Sequence, residues 1–600
     1  MGELRNNMKD ICLDTETFYS DACTVKTLGN HNYVRHPEWD CYMVSLAGND
    51  GLSYVGPPEK APWGKVFTPE TRLLSHNTGF DKAVIERLAE QGIIPRPEYA
   101  VWEDTADLAA YLGVPRNLKG ASKALLNVEM SKDVRDNMKG KRYQELPGEK
   151  QKEVLDYAMG DAINTLSIWD KYSEKWPEHE RWLSRHTRTM GELGLPLNVD
   201  AVEKALEVLD SQIEGALANV PWYERTGKVL SRDSLEEECA KYSIIVPKSL
   251  AKDDEDCIAW ENEWGDKFPF IGAMRDYRRC NMLYEKVKAM HNRLKPDGHS
   301  LFSLKYFGGH TGRWSGDGGV NYQNLPRGDL FGVNLRNMIE ALPGKTFVIV
   351  DLSQIEARVT LWFARDHATL DMIRAGIDLY EAHARSTMGY SNDKVLKDYD
   401  KEMHTAIRQM AKVRVLGLGF GCGATKFVQV ARIMGGVDLS LEESAGVVKA
   451  YRETNKPITD LWKRLESHLA LHANTGSSAT FRLPSGRDMH YRDVRRIGRD
   501  LSSLMCQGGV MFRKKLWGGT LTENLVQAAS RDILAHYIRV LDDRGMDIRL
   551  HVHDEVVIMC DEAEAKDVLR EVVEVMSTPP EWIADLPIAA EGEISTIYKK

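Results

Sequence analysis

Three short segments constrain this chain more than any other feature: DLSQIEARV at 351–359, RQMAKVRVLGLGFG at 408–421 and HVHDEVV at 551–557. The first and last read as strands or strand ends that each present an aspartate, Asp351 and Asp554. The middle one reads as a basic helix. Two aspartates and a cationic helix are what phosphoryl transfer from a nucleoside triphosphate requires. A second acidic set, Asp14, Glu16, Asp81 and Asp161, lies upstream. The expectation is two separate metal sites, one that builds a phosphodiester chain and one that trims it.

At 600 residues the chain is too long for one core, and three or four domains are the natural expectation. No apolar run approaches the ~18 residues of a membrane span. The opening MGELRNNMKDICLD lacks the apolar core of a signal peptide. The nine cysteines form no CxxC pair, which points to a reducing, cytoplasmic setting without disulfides or zinc. A net charge of −10 opposes nucleic-acid binding at first sight, but residues 401–520 hold 20 Lys+Arg against 10 Asp+Glu. A basic module on an acidic body suits a protein that grips a polyanion along one track.

Strand-like runs (ICLDTET, CYMVSLAG, SYVG) alternate with helical stretches through residues 1–172, an α/β pattern. Residues 175–300 read as mostly helical, and FGGHTGRWSGDGGVNYQNLPRGD at 307–329 as a long loop. TFVIVDLS is a buried strand, 366–475 are again helix-rich, and RLPSGRDMHYRDV reads as a hairpin turning at SGR. NLVQAASRDILAHYIRVLDDRG is a long helix ending at Gly545, followed by a strand pair over IRLHVHDEVVIMCD.

In a strand, residues i and i+2 share a face, so CLDTET sets Asp14 and Glu16 side by side. Hard oxygen ligands of this kind suit Mg²⁺ or Mn²⁺. DxE alone is usually a solvated strand face, but Asp81 at a helix start and Tyr157 one turn before Asp161 strengthen it. Four carboxylates suffice for two metals, with Tyr157 orienting the attacking water. At the larger site, Asp554 and Glu555 stand at a tight turn whose apolar flanks argue for burial. Adjacent buried acids are costly without a counter-charge, and a metal pair shared with Asp351 supplies one. Arg408, Lys412, Leu416 and Phe420 recur every four residues, a slanted helical stripe with cations for a triphosphate and apolar groups for base and sugar. Gly417, Gly419 and Gly421 are expected to let a flat base pair approach closely; the alternative is that these glycines end the helix, Gly421 and Gly423 above all.

Taken together these segments resemble family A (DNA polymerase I-like) DNA polymerases of the compact bacteriophage type. DLSQIEAR resembles motif A of that family, RQMAKVRVLGLGFG motif B and VHDEV motif C. TGRWS and QNLP match the segment joining thumb and palm, while DTE, NTGFD and YAMGD match its three exonuclease motifs. The resemblance implies a multidomain α/β and α+β architecture, an RNase H-like 3′–5′ exonuclease domain followed by a right-hand polymerase. The expected boundaries are 1–172 exonuclease, 173–306 thumb, 307–365 palm, 366–500 fingers and 501–600 second part of the palm. No 5′–3′ nuclease domain is expected.

Residue by residue, the resemblance implies that Asp351 and Asp554 hold two catalytic Mg²⁺ ions, with Glu555 beside them. Glu356 would be the steric gate against a 2′-hydroxyl, with Gln354 and Arg358 near the substrate. Arg408 and Lys412 would bind the triphosphate, and Phe420 would stack near the templating base. Arg313, Asn324, Gln527 and His553 would touch the minor groove or primer end. Asp14, Glu16, Asp81 and Asp161 would be proofreading ligands supported by Tyr157. The implied partners are primer–template DNA and deoxynucleoside triphosphates, with no membrane and a monomeric enzyme. Three positions depart from the family pattern. Leu352 replaces a tyrosine, Leu416 an aromatic residue and Phe420 a tyrosine, which bears on sugar discrimination because Leu416 cannot stack as a ring does. Competing readings are a single-subunit RNA polymerase, opposed by Glu356 and the proofreading set, a non-catalytic relative, and an exonuclease whose polymerase half only binds DNA.

Overall fold

The run KDICLDTET forms the central strand of the first unit, with Ile11, Cys12 and Leu13 covered on its two faces. The computed structural model describes residues 8–130, 134, 137–251, 254–507 and 509–599. Half of the opening segment read for a signal peptide, residues 1–7, lies outside them. Strands β1 (Lys9–Thr17), β2 (Cys41–Gly48), β3 (Ser53–Gly56), β4 (Thr71–Ser75) and β5 (Val101–Asp104) make a sheet of order β3-β2-β1-β4-β5. β1 is antiparallel to β2 and parallel to β4. The period of two sorts its residues. Ile11 and Leu13 pack with Val84 and Ile85 of the Thr78–Glu90 helix. Cys12 faces the other way, into the core that holds Ala162 of the Gly148–Tyr172 helix.

Helices follow: Glu178–Leu193, Val199–Leu217, Arg232–Ala240, Glu255–Trp264 and Pro269–His291. Two small antiparallel pairs follow: β6 (Leu195–Pro196) with β7 (His299–Ser300) closes this region on itself, and β8 (Ser303–Lys305) with β9 (Ser315–Asp317) ties it to the Gly-rich loop. The pairing of β8 with β9 crosses the boundary expected at 306, so loop and preceding helices are joined by backbone hydrogen bonds.

β10 (Lys345–Leu352) is almost wholly buried because it is flanked on both edges. β11 (Ala479–Arg482), β12 (Asp488–Ile497), β13 (Asp500–Gln507) and β14 (Val510–Leu516) form a sheet in chain order. The expected SGR hairpin joins β11 and β12, but the second hairpin, β13 with β14, went unread. The boundary expected at 500 falls at the first residue of β13, which pairs with β12, and so lies inside this sheet. Polar residues alternating with only short apolar sets left that strand pair without a clear period. β15 (Ile548–Val552) and β16 (Glu555–Asp561) form a third sheet with β10 and β17 (Ala590–Ser595), in the order β15-β16-β10-β17. The Gly518–Asp543 helix ends just before Gly545, which takes φ 78°. No helix among the described residues is long and apolar enough to cross a membrane.

Candidate active sites

The antiparallel register of β10 and β16 places Asp351 opposite Glu555, and opposite residues share a face. Asp554 occupies the two-residue turn between β15 and β16, where His553 takes φ 55°. The Leu352 amide donates to the Asp554 carbonyl at 3.0 Å, closing the turn against the end of β10. Burial and the nearby Asp351 carboxylate push Asp554 up to about 6. Glu555 is buried, and the Tyr598 hydroxyl donates to it at 2.9 Å.

Glu356 lies in the first turn of the Ile355–Ala364 helix, which starts after Gln354 in a left-handed conformation at φ 48°. Arg313 Nη2 donates to Glu356 Oε1. Burial holds His553 below the usual imidazole range, and Arg313 acts in the same direction. Arg313, Glu356, His553 and Asp554 therefore form one electrostatic neighbourhood. On its other side Glu356 borders a small cavity that also includes Leu416, Gly419, Phe420 and Tyr451. Arg358 is buried and structural: Nε donates to the Ser353 carbonyl at 2.9 Å and Nη1 to Pro587 at 2.8 Å. Its link to Gln354 Oε1 is a long 3.5 Å.

Arg408, Lys412 and Leu416 lie on the Ile407–Leu418 helix. The helix stops at Leu418, so Phe420 stands in the following turn and is not the fourth member of a helical stripe. Trp462 Nε1 donates to the Gly419 carbonyl at 3.1 Å and fixes that turn. Arg408 donates to Asp378 Oδ2 at 3.2 Å and lies 5.1 Å from the Tyr380 ring. The expectation for Gly417 is corrected: a Cβ there would meet Val430 Cγ1 at 2.8 Å and the Phe427 ring at 3.1 Å. That glycine faces the Ala424–Gly435 helix, and helix-on-helix packing accounts for it.

In the first unit, ligand oxygens of Asp14, Glu16 and Asp161 lie within 4.8 Å of one another. Asp81 does not join that cluster among the described residues. It sits with Thr15, whose hydroxyl donates to it at 2.7 Å, because Thr15 points to the face of β1 opposite Asp14 and Glu16. Burial pushes Asp81 up to about 8. Tyr157 hydrogen-bonds Asp161, and burial, Asp161 and Glu16 hold its phenol above the ordinary value.

Asn324 is exposed at the end of the turn Tyr322–Asn324, while its buried neighbour Gln323 donates to the His551 carbonyl at 3.4 Å. Gln527 is half-buried and donates to Glu523 at 3.3 Å, whereas Asn524 is buried against the Tyr491 hydroxyl at 2.9 Å. Asp378 and Tyr598 were missed by sequence reasoning. Asp378 carries only the signal of a helix N-cap in IDLYEA, and Tyr598 carries none.

The carboxylate sets are the kind that hold hard divalent cations, since each gathers partly buried like charges that a cation relieves. Comparison with known proteins agrees with this geometry. The chain is 26% identical over 672 residues to a DNA polymerase of Bacillus phage SP02, across 99% of this chain and 100% of that protein. It is 23% identical over 564 residues to DNA polymerase I of Aquifex aeolicus (strain VF5), across 88% of each. Its fold is similar to the POL domain of Pol1 from M. smegmatis, solved in complex with DNA primer-template and dNTP. The TM-score is 0.66 at 17% identity, over 100% of this chain and 97% of that one. The family described as DNA polymerase family A matches residues 254–600, more than half of the chain, and this protein therefore belongs to DNA polymerase family A and is a template-directed DNA polymerase.

Proposed function

We propose that this polymerase adds deoxynucleotides to a primer 3′ end at Asp351 and Asp554 and trims that end at a separate 3′–5′ proofreading site. The observation that carries the reading is the presence of two carboxylate sets on two different sheets, one at the β15–β16 turn and one on β1. Mg²⁺ or Mn²⁺ ions, two per site, would be held by Asp351 and Asp554 at one and by Asp14, Glu16 and Asp161 at the other. When bound, they would supply charge stabilisation for the attacking and leaving oxygens. Asp81 contributes from the far side of β1, and Tyr157 orients water through its bond to Asp161. Lys412 and Arg408 receive the triphosphate, Glu356 excludes a 2′-hydroxyl, and Leu416 with Phe420 borders the base and sugar. Arg313, His553, Gln527 and Asn324 face the primer–template. Gln354 and Arg358 shape the turn from β10 into the Ile355–Ala364 helix, a positioning role. The first unit is read as an RNase H-like exonuclease, residues 173–306 as the thumb, and β10 with β15–β17 as the palm. The enzyme acts as a monomer.

The test is extension of a labelled primer on a DNA template with Mg²⁺, with and without deoxynucleotides. Lengthening with them and shortening without them is expected. Shortening alone would leave only the trimming half of the reading; lengthening alone would remove that half.

A further inference from the structure

Four buried charged side chains, none belonging to either carboxylate set, surround the loop that carries Arg313. Arg531, in the Gly518–Asp543 helix, donates through Nη1 and Nη2 to Glu180 at 2.6 and 2.8 Å. Glu180 lies in the Glu178–Leu193 helix, 351 residues away in sequence. The Tyr306 hydroxyl donates to the same carboxylate at 2.6 Å. Arg531 Nη1 also reaches Asp532 at 3.2 Å, and Arg487 Nε donates to both Asp532 oxygens at 3.0 and 3.1 Å. Two cations and two anions thus cancel in the interior, where an unpaired member would be costly. The side chains of Arg531 and Glu180 are only 1% and 3% exposed. Burial alone would push Glu180 up, yet the doubly bonded Arg531 outweighs it and draws the carboxyl down to about 2.

Each arginine keeps one further donor for the main chain. Arg531 Nε donates to the Gly312 carbonyl at 3.0 Å, and Arg487 Nη2 donates to the Thr311 carbonyl at 2.9 Å. These are the two residues immediately before Arg313. The turn has little slack: Gly312 has φ 88°, and a Cβ there would meet the Phe307 ring at 2.9 Å. The Arg531 guanidinium also lies 4.8 Å from the Trp314 ring, so residues on both sides of Arg313 are held. Arg313 itself reaches Glu356 and bears on His553 and Asp554.

We propose that Arg531, braced by Glu180, is a positioning residue that fixes the 311–314 turn and so aims Arg313 at Glu356 and the synthesis site. Arg487 acts in the same way from the other side. The proposal rests on the reading that Asp351 and Asp554 carry synthesis, and it does not require that Glu356 be a sugar gate. The geometry separates charge from aim. Arg531→Lys keeps a cation against Glu180 but has a single ammonium, which cannot hold both Glu180 and the Gly312 carbonyl as a guanidinium does.

The experiment is a double-mutant cycle on single deoxynucleotide addition, comparing Arg531→Lys, Arg313→Ala and the double variant, each checked by circular dichroism and thermal midpoint. Arg531→Lys alone is expected to lower kcat/KM by about 10- to 100-fold, the scale of an ångström-sized misplacement. In the Arg313→Ala background the same change should cost less than about twofold, because there is no side chain left to aim. Equal losses in both backgrounds would overturn the proposal, since Arg531 would then act without Arg313. If Arg531→Lys fails to fold, Arg487→Lys replaces it in the same cycle with the same expectation and the same overturning outcome. Loss of all synthesis in the parent protein would instead strike the underlying reading.

Discussion

At the scale of single residues, the most informative group is Asp554, whose folded carboxyl titrates near 6 because burial and Asp351 both disfavour its ionised form. A carboxyl with a raised folded value keeps its proton to higher pH in the folded state than in the unfolded one. Its ionisation, which metal holding requires, is only about half complete at pH 6. Synthesis at limiting Mg²⁺ should therefore fall as pH drops through about 6, and saturating Mg²⁺ should shift the midpoint downward. The measurement is kcat/KM for deoxynucleotide addition between pH 5 and 8 at two Mg²⁺ concentrations. A midpoint that ignores Mg²⁺ would detach Asp554 from metal holding. Asp14 and Glu16 on a strand and Asp161 on a helix, which the fold gathers, stood out in the sequence, as did Asp351 and Asp554 with their apolar flanks, because acids in such surroundings are costly unless they serve a site. Tyr598 was not legible: its bond to Glu555 joins it to the strand that follows the Asp554 turn, and no local pattern encodes that.

At the scale of elements, the Ile407–Leu418 helix shows what spacing omits. A repeat of four residues carried the stripe through Phe420, but Gly419 and Gly421 close the helix first, and Gly421 takes φ 77°. Gly417 reads equally well as room for a base pair or room for a neighbouring helix until the neighbour is seen. The packing against Phe427 and Val430 gives opposite signs for one substitution. Gly417→Ala would gain about 1 kcal/mol in helix propensity but lose about 1–3 kcal/mol to overpacking. The expected net is a lower thermal midpoint, by about 2–4 °C. A raised midpoint accompanied by weakened nucleotide addition would restore the base-pair reading.

At the scale of the whole molecule, the two carboxylate sets stand on separate sheets, so their activities should be separable. Asp14→Ala with Glu16→Ala should abolish primer trimming while leaving single-nucleotide addition within about twofold, as expected for distant sites that share no partners. Trimming that survives this double change would place the proofreading site elsewhere. Chelation of divalent ions should stop both reactions, and re-addition of Mg²⁺ should restore both. The basic segment 401–520 is only partly a surface property: Arg414 and Arg487 are buried, one over the Tyr451 ring and the other against Asp532. A charge count cannot separate cations facing a polyanion from cations holding the interior together.

The sequence by itself determined the acidic strand ends, the basic helix, the α/β character of residues 1–172 and the order of the motifs. The first three rest on local periodicity and on the energetic cost of burying charge, which neighbouring residues report; the order of the motifs rests on the resemblance to family A polymerases. Only the tertiary structure decided that Asp81 lies across β1 from Asp14 and Glu16, that Gly417 packs on a helix, and that β12–β14 bridge an expected boundary. It alone brought Glu180 to Arg531 across 351 residues. Such pairings depend on which faces meet after the chain has folded, and a spacing along one strand or helix carries no information about the element that will cover it.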